Sequence, residues 1–135
     1  MAKSWNQKLN NPRPAQVETT TKAFAGIGVG AKMLIPTPIL VRDYVAAIPH
    51  GKTSTMDQMK RDLAAKFGAE VTCPLTSGIF IRIVAEAALE DLAQGKSLDE
   101  ITPFWRLIAP KDKVVLKLPC GREFIEERRA AEGIA

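Results

Sequence analysis

The sequence predicts a mostly helical α+β domain with one small β-hairpin, arranged like a winged helix-turn-helix. Three features indicate this fold. Apolar residues recur at helical spacing in three segments between residues 39 and 93. Only the short connection "AEVTCPL" separates the second of these segments from the third. The later stretch "KDKVVLKLP" alternates apolar and polar residues, as an exposed hairpin does, and one more helical segment follows it.

The first two helices lie between "PTP" (residues 36–38) and "AEVTCPL". Apolar residues at helical spacing predict the first helix over residues 39–48, and "PHGK" ends it. Thr53 or Ser54 is expected to cap the second helix, which continues to residue 67. Asp57 is placed to complete a capping box with that cap.

The third helix, the hairpin and the last helix complete the predicted order. Thr76 or Ser77 is expected to cap the long segment "GIFIRIVAEAALEDLAQG", whose apolar residues form a wide stripe. The hairpin at residues 111–119 then supplies the wing. The final segment, "REFIEERRAAEG", predicts a helix that ends at Gly133.

Residues 1–35 are predicted to be a flexible basic arm, because they mix Asn, Pro, Thr, Gly and Lys without sustained periodicity. A local turn or strand is expected near residues 32–35. The arm contains five basic residues and one acidic residue, whereas residues 36–135 have no net charge. Its "GIGVGAK" stretch lacks the spacing of phosphate-binding loops and dinucleotide fingerprints, so we interpret it as a linker.

The composition indicates one globular domain and excludes several classes of protein. The chain has 135 residues, of which 46% are hydrophobic and 25% charged. Two cysteines, Cys73 and Cys120, and one histidine cannot provide the four soft ligands of a structural zinc site. We therefore expect no metal and no cofactor, and we expect both cysteines to be structural thiols.

An apolar stretch over residues 23–41 is interrupted by Lys32, Pro36 and Pro38. It is shorter than the uninterrupted run that a membrane span needs, and it begins too late in the chain for a signal peptide. The sequence therefore predicts a cytoplasmic protein with no membrane partner.

Four segments, in the same order, resemble the DNA-binding domain of O6-alkylguanine-DNA alkyltransferases and alkyltransferase-like proteins. "IPHGKTSTMDQMKRDLA" resembles the family's "P-x-G-x-x-x-[ST]-Y" turn and first helix, and "IRIVAEAA" resembles its recognition helix, "A-R-A-V-G-x-A". "ITPFWRLI" resembles the active-site segment "I-P-C-H-R-V-[IV]". "GREFIEERRAAEG" resembles the closing helix, which ends in Glu-Gly. The resemblance covers residues 36–135.

The resemblance implies a pocket from which the family's chemistry has been lost. Phe104 stands at the position of the alkyl-accepting cysteine, and Trp105 stands at the position of its histidine. Arg106 is retained, Glu132 matches the family's terminal glutamate, and Met56 replaces a tyrosine on the first helix. A phenyl ring cannot accept an alkyl group by substitution, so the family's reaction is excluded.

The resemblance also implies a DNA-binding surface. Arg82 takes the position of the family's recognition-helix arginine, which replaces an extruded base. An ordinary ion pair with Glu86, four residues later, explains Arg82 equally well. Helix entrances and the wing are expected to contact phosphates through seven residues: Lys52, Thr53, Ser54, Thr55, Ser77, Lys111 and Lys113. Capped helix starts and a solvated hairpin are the alternative interpretations of these residues.

The sequence therefore predicts a non-enzymatic protein that binds double-stranded DNA, including alkylated DNA, in repair or in the recognition of alkyl damage. The alternative is a degenerate winged-helix module that binds another protein and no longer contacts DNA. An enzyme that uses Cys73 or Cys120 is a third hypothesis, disfavoured because no histidine lies in a supporting motif. We expect the pocket at Phe104 and Trp105 to be filled or reshaped.

Overall fold

The computed structural model describes residues 3–134 as helices and a small sheet around one hydrophobic core. The α-helices in this part of the chain are α1 (Trp5–Leu9), α2 (Pro38–Ala46), α3 (Met56–Lys66), α4 (Pro74–Ala93) and α5 (Gly121–Ala131). The strands are β1 (Gln16–Thr19), β2 (Lys32–Ile35) and β3 (Val71–Thr72). Two 3₁₀ helices, Phe104–Arg106 and Lys113–Lys117, lie between α4 and α5. The predicted α+β class is confirmed.

Helix α4 lies at the centre of the fold because it is apolar around most of its circumference. Residues 83–88 are buried without interruption, and α1 and α2 both pack against the helix. The helix begins at Pro74 rather than at the predicted cap, because proline is favoured at the first position, where no N–H is needed. Helix α3, in contrast, is capped later than predicted, by Thr55 and not by Thr53 or Ser54; the Thr55 hydroxyl oxygen accepts from the N–H of Gln58.

The three strands form one small sheet in the order β1-β2-β3. Strand β2 pairs antiparallel with β1, with Gln16 opposite Ile35, and parallel with β3, with Met33 opposite Val71. Met33 and the fully buried Leu34 anchor the middle strand in the core. The strand expected near residues 32–35 is confirmed, and the hairpin of this fold lies between β1 and β2.

The N-terminal part of the chain is folded, in contrast to the flexible arm that its composition predicts. Ser4 and Gln7 form a capping box at the start of α1, and Leu9 is buried in the core. The carboxylate of Glu90 accepts hydrogen bonds from the N–H groups of Trp5 and Asn6, both at 3.1 Å. These bonds join α1 to α4 and satisfy donors that a helix start leaves free. Residues 1 and 2 of the predicted arm lie outside the described residues.

The predicted wing is wrong, because residues 113–117 form a 3₁₀ helix instead of a hairpin. Val115 and Leu118, three residues apart, are both buried, which matches the period of a 3₁₀ helix. Pro119 lacks the N–H that a returning strand would donate, and Gly121, with φ +70°, turns the chain into α5. Helices α3 and α4 are consecutive α-helices joined by residues 67–73, which include strand β3.

Candidate nucleic-acid interface

The first turns of α4 separate two clefts that adjoin at Gly78 and Lys113. The smaller cleft, about 470 Å³, is bounded by the segment before α3 and by residues 107–109. The larger, about 620 Å³, is bounded by α1 and the 3₁₀ helix Lys113–Lys117. We call the surface formed by residues 52–57, 74–83 and 112–117 the helix-start face.

In the segment before α3, two side chains form hydrogen bonds and two do not. Lys52 and Thr53 are exposed, with no side-chain hydrogen bond among the residues the structure describes. The hydroxyl of Ser54 lies 2.8 Å from that of Tyr44, and the Thr55 hydroxyl caps α3. Of the four residues predicted to contact phosphate here, Lys52 and Thr53 are therefore the most accessible.

Arg82 lies at the edge of the larger cleft and is held by two contacts. Its guanidinium is 3.3 Å from a carboxylate oxygen of the buried Glu86, so the ion pair that the spacing suggests is present. The same guanidinium lies 5.1 Å from the ring centre of Trp5, which also has the ammonium of Lys8 at 4.1 Å. The ring and the two cations place α1 beside the start of α4.

The phosphate contact expected of Ser77 is not possible, because its side chain is fully buried. Its hydroxyl donates to the carbonyl of Cys73 at 2.7 Å. A serine in that position satisfies the backbone inside the helix start and cannot reach a phosphate. Lys111 and Lys113 are exposed, as a phosphate-contacting role requires, but they lie on a loop and a 3₁₀ helix rather than on a wing. Lys113 lines both clefts.

The rings of Phe104 and Trp105 fill the position at which the resemblance places a reactive cysteine and histidine. Phe104 is 0% exposed and Trp105 3% exposed. Their ring centres are 5.4 Å apart in an edge-on arrangement, and Phe124 of α5 stacks on Phe104 at 5.9 Å. Both rings are packed into the hydrophobic core, and neither faces the cleft beside Arg82.

Glu132 anchors a buried polar network at the same place. Its carboxylate accepts from the indole N–H of Trp105 at 2.7 Å, from the guanidinium of Arg106 at 2.9 Å and from the N–H of Gly51 at 3.0 Å. Arg106 also donates to the carbonyl of Ile48 at 2.8 Å. The network ties α5 to the turn between α2 and α3. Gly51 adopts φ +80°, which glycine reaches without strain.

The network sets the charge state of Glu132. Burial by itself raises the pKa of this carboxyl, but the hydrogen bonds from Arg106, Gly51 and Trp105 outweigh it and lower the pKa from 4.5 to about 2. The network is therefore built around the ionised carboxylate, which forms one half of a buried ion pair.

This depressed pKa predicts an acid-sensitive stability. The stabilisation from ionised Glu132 is present above the unfolded-state pKa of 4.5 and is lost as the pH falls toward about 2. We expect the free energy of unfolding, measured with urea, to fall more between neutral pH and about pH 3 in the natural protein than in Glu132→Gln. Equal losses in the two proteins would show that Glu132 does not carry this pH dependence.

The five residues predicted to share one pocket do not lie together. Met56 lines the smaller cleft of the helix-start face. Trp105, Arg106 and Glu132 contribute instead to a separate polar cleft of about 540 Å³, and Phe104 lines neither. The single pocket that the resemblance implies is therefore not formed by these five side chains.

Three residues that were not among the predicted site residues contribute to this region. Trp5 and Lys8 line the larger cleft, and the "SWNQ" capping-box pattern was a signal for the helix that carries them. Arg129 donates to the carbonyls of Trp105 and Ile108, at 2.8 and 3.3 Å, and so fixes the segment behind the smaller cleft. No sequence pattern indicated these long-range contacts.

The described residues give no support to thiol or metal chemistry. Cys73 is buried at the start of α4, and burial raises the pKa of the Cys120 thiol, which lowers its thiolate fraction. Within residues 3–134, no three His, Cys, Asp or Glu side chains cluster as a metal site would require. No helix in that span combines the length and apolar character needed to cross a bilayer.

Comparison with known proteins found no family model, no curated protein and no solved structure that matches the chain.

Proposed function

We propose that this protein binds double-stranded DNA through the helix-start face and transfers no alkyl group. The observation that carries the proposal is the excess of cations on and beside that face. Five basic side chains contribute: Lys8, Lys52, Arg82, Lys113 and Lys117. Polyanion binding depends on such an excess, because each phosphate neutralised by a lysine or arginine releases counterions.

The carboxylates on the face are engaged within the protein. Asp57 lies 3.4 Å from the ammonium of Lys60, and Asp112 accepts from the N–H of Ala109 at 2.8 Å. Glu86 is buried against Arg82. The three carboxylates keep their negative charges, so the five basic side chains on and beside the face outnumber them by two, although residues 36–135 have no net charge.

The shape of the face also suits a duplex. Helices α3 and α4 contact each other and are joined by a short connection. The first turns of α4 lie between the two clefts. Helix–turn–helix proteins present the start of the second helix to a groove while neighbouring side chains contact the backbone. Lys113 lines both clefts, and Lys52 is exposed beside Thr53, which lines the smaller one; these two lysines are our candidates for the backbone contacts.

The absence of alkyl transfer follows from Phe104. A buried phenyl ring at the acceptor position has no nucleophilic atom and does not face an open cavity beside Arg82. The proposed activity is therefore binding without covalent transfer.

The test is binding to matched duplexes with and without one O6-methylguanine, at a low and a high salt concentration. We expect binding at low salt that weakens at least tenfold at high salt, about 10³-fold for a protein with six or more phosphate contacts. Intact mass after incubation with the alkylated duplex is expected to be unchanged. Absence of binding at low salt would overturn the proposal, and a mass gain of one alkyl group would overturn its non-enzymatic part.

A further inference from the structure

The larger cleft of the helix-start face is an apolar groove with a basic rim. Helix α1 forms one side, the start of α4 forms the floor, and the 3₁₀ helix Lys113–Lys117 forms the other side. We call it the α1–α4 groove. Its volume is about 620 Å³, and its floor includes Leu75 and Ile79.

Three large apolar side chains in and beside this groove are exposed to solvent. Leu75 is 66% exposed and Ile79 is 50% exposed, and they lie four residues apart on the same side of α4. Leu116, on the 3₁₀ helix that borders the groove, is 89% exposed. Clustered apolar residues rimmed by polar groups are typical of an interaction site, whereas isolated exposed ones are not.

The charge around the groove is of one sign. Lys8, Arg82, Lys113 and Lys117 line it, and no carboxylate is among the described residues that do so. The only carboxylate partner of Arg82 in the described chain, Glu86, is buried behind it. A ligand that covers the apolar floor therefore meets cations along its edges.

We propose that the α1–α4 groove binds an acidic amphipathic helix of a partner protein. Apolar side chains on one face of such a helix, spaced i, i+4, would cover Leu75 and Ile79, and its Asp and Glu residues would meet the lysines of the rim. The floor from Pro74 to Ile83 is about 14 Å long at 1.5 Å per residue, which fits two to three turns of a helix.

Charge and polarity favour this occupant over two others. A second copy of the chain in the groove would bring the same basic residues to the same rim, and like charges facing each other disfavour association. Duplex DNA, which is proposed to bind the same face, would pair with the lysines but would cover less of the apolar surface of Leu75 and Ile79 than an amphipathic helix would. An acidic amphipathic helix would cover the apolar floor and also pair with the cations of the rim.

The groove shares four cations with the surface proposed to bind DNA: Lys8, Arg82, Lys113 and Lys117. A bound acidic helix would occupy these cations and compete with DNA. The partner helix would therefore act as a negative regulator of DNA binding, while remaining a separate ligand with its own apolar contacts.

The test uses a fluorescein-labelled synthetic peptide of 18 residues, with leucines along one helical face and Asp, Glu and Ala elsewhere. A control peptide has the same composition with the leucines spread around the helix. Anisotropy is measured with the natural protein, with Leu75→Ser/Ile79→Ser and with a control variant, Lys96→Gln. Lys96 follows the C-terminal end of α4, away from the groove. Thermal melting checks that the variants remain folded, which exposed positions should allow.

We expect the amphipathic peptide to bind at least about tenfold more tightly than the control peptide, and Leu75→Ser/Ile79→Ser to weaken it by about tenfold or more. Lys96→Gln should leave the affinity unchanged. No binding of the amphipathic peptide, or equal affinity for the two peptides, would overturn the proposal. Loss of duplex DNA binding in Leu75→Ser/Ile79→Ser, with no peptide binding, would reassign the groove to DNA.

Discussion

Replacing Glu132 by glutamine is expected to lower the free energy of unfolding by about 3 kcal/mol. The substitution keeps the shape of the side chain but removes the negative charge that Arg106 faces at 2.9 Å. The Arg106 side chain is 15% exposed and that of Glu132 is 7% exposed. In the variant, the Arg106 guanidinium would therefore be largely buried without a counter-charge. Urea unfolding at neutral pH measures the loss.

A matched control is Glu126→Gln on the same helix. Glu126 also pairs with an arginine, Arg122, at 3.1 Å, but both side chains are about half exposed. An exposed i,i+4 pair contributes only about 0.3–0.5 kcal/mol. A loss for Glu132→Gln no larger than that for Glu126→Gln would contradict the role given to the buried network.

Phe104→Ala is expected to destabilise the protein by about 3–5 kcal/mol, the range for large-to-small changes of a fully buried aromatic. The change removes the ring that contacts both Trp105 and Phe124 and leaves a cavity that these rings cannot fill without moving. Denaturant unfolding at neutral pH measures the effect. The same measurement distinguishes a filled pocket from an open one, because a ring lining an open pocket would cost far less.

Phe67→Ala provides the comparison, because Phe67 lies at the end of α3 and is 38% exposed. Its removal is expected to cost about 1 kcal/mol or less. If Phe104→Ala were as mild as Phe67→Ala, the position would not be the packed core element that we describe.

The helices could be predicted from the sequence because local chemistry determines them. Apolar spacing marked α2, α3, α4 and α5, and the expected stop at Gly133 matches its φ of +76° after α5. The start of α4 was misplaced because Thr76 and Ser77 resemble caps, whereas Pro74 begins the helix. Such boundary errors come from competition between start signals only a few residues apart.

The wing and the arm could not be predicted, because each depends on long-range contacts. "KDKVVLKLP" has strand-like alternation, but packing against α5 buries Val115 and Leu118 with the period of a 3₁₀ helix. Helix α1 has only five residues and is held by Glu90, more than eighty residues away. A helix that short is not stable alone, so the capping-box pattern in "SWNQ" is its local signal but does not by itself predict a stable helix.

The candidate site was predicted in part. Helix spacing indicated the Arg82–Glu86 ion pair, and Lys111 and Lys113 are exposed as expected. Motif order could not show that Ser77 is buried or that Glu132 bonds to an indole N–H instead of a histidine. These features depend on side-chain direction, which the fold determines.

The most direct test of the central claim, duplex DNA binding by the helix-start face, is the salt dependence of binding in Lys52→Gln/Lys113→Gln. Each lysine that contacts a phosphate contributes about 0.9 to the slope of log K against log salt concentration. We expect the slope of the double variant to be shallower by about 1.8, and that of Lys96→Gln to equal the natural protein's. A double variant that binds with an unchanged slope and affinity would contradict the assignment of this face to DNA.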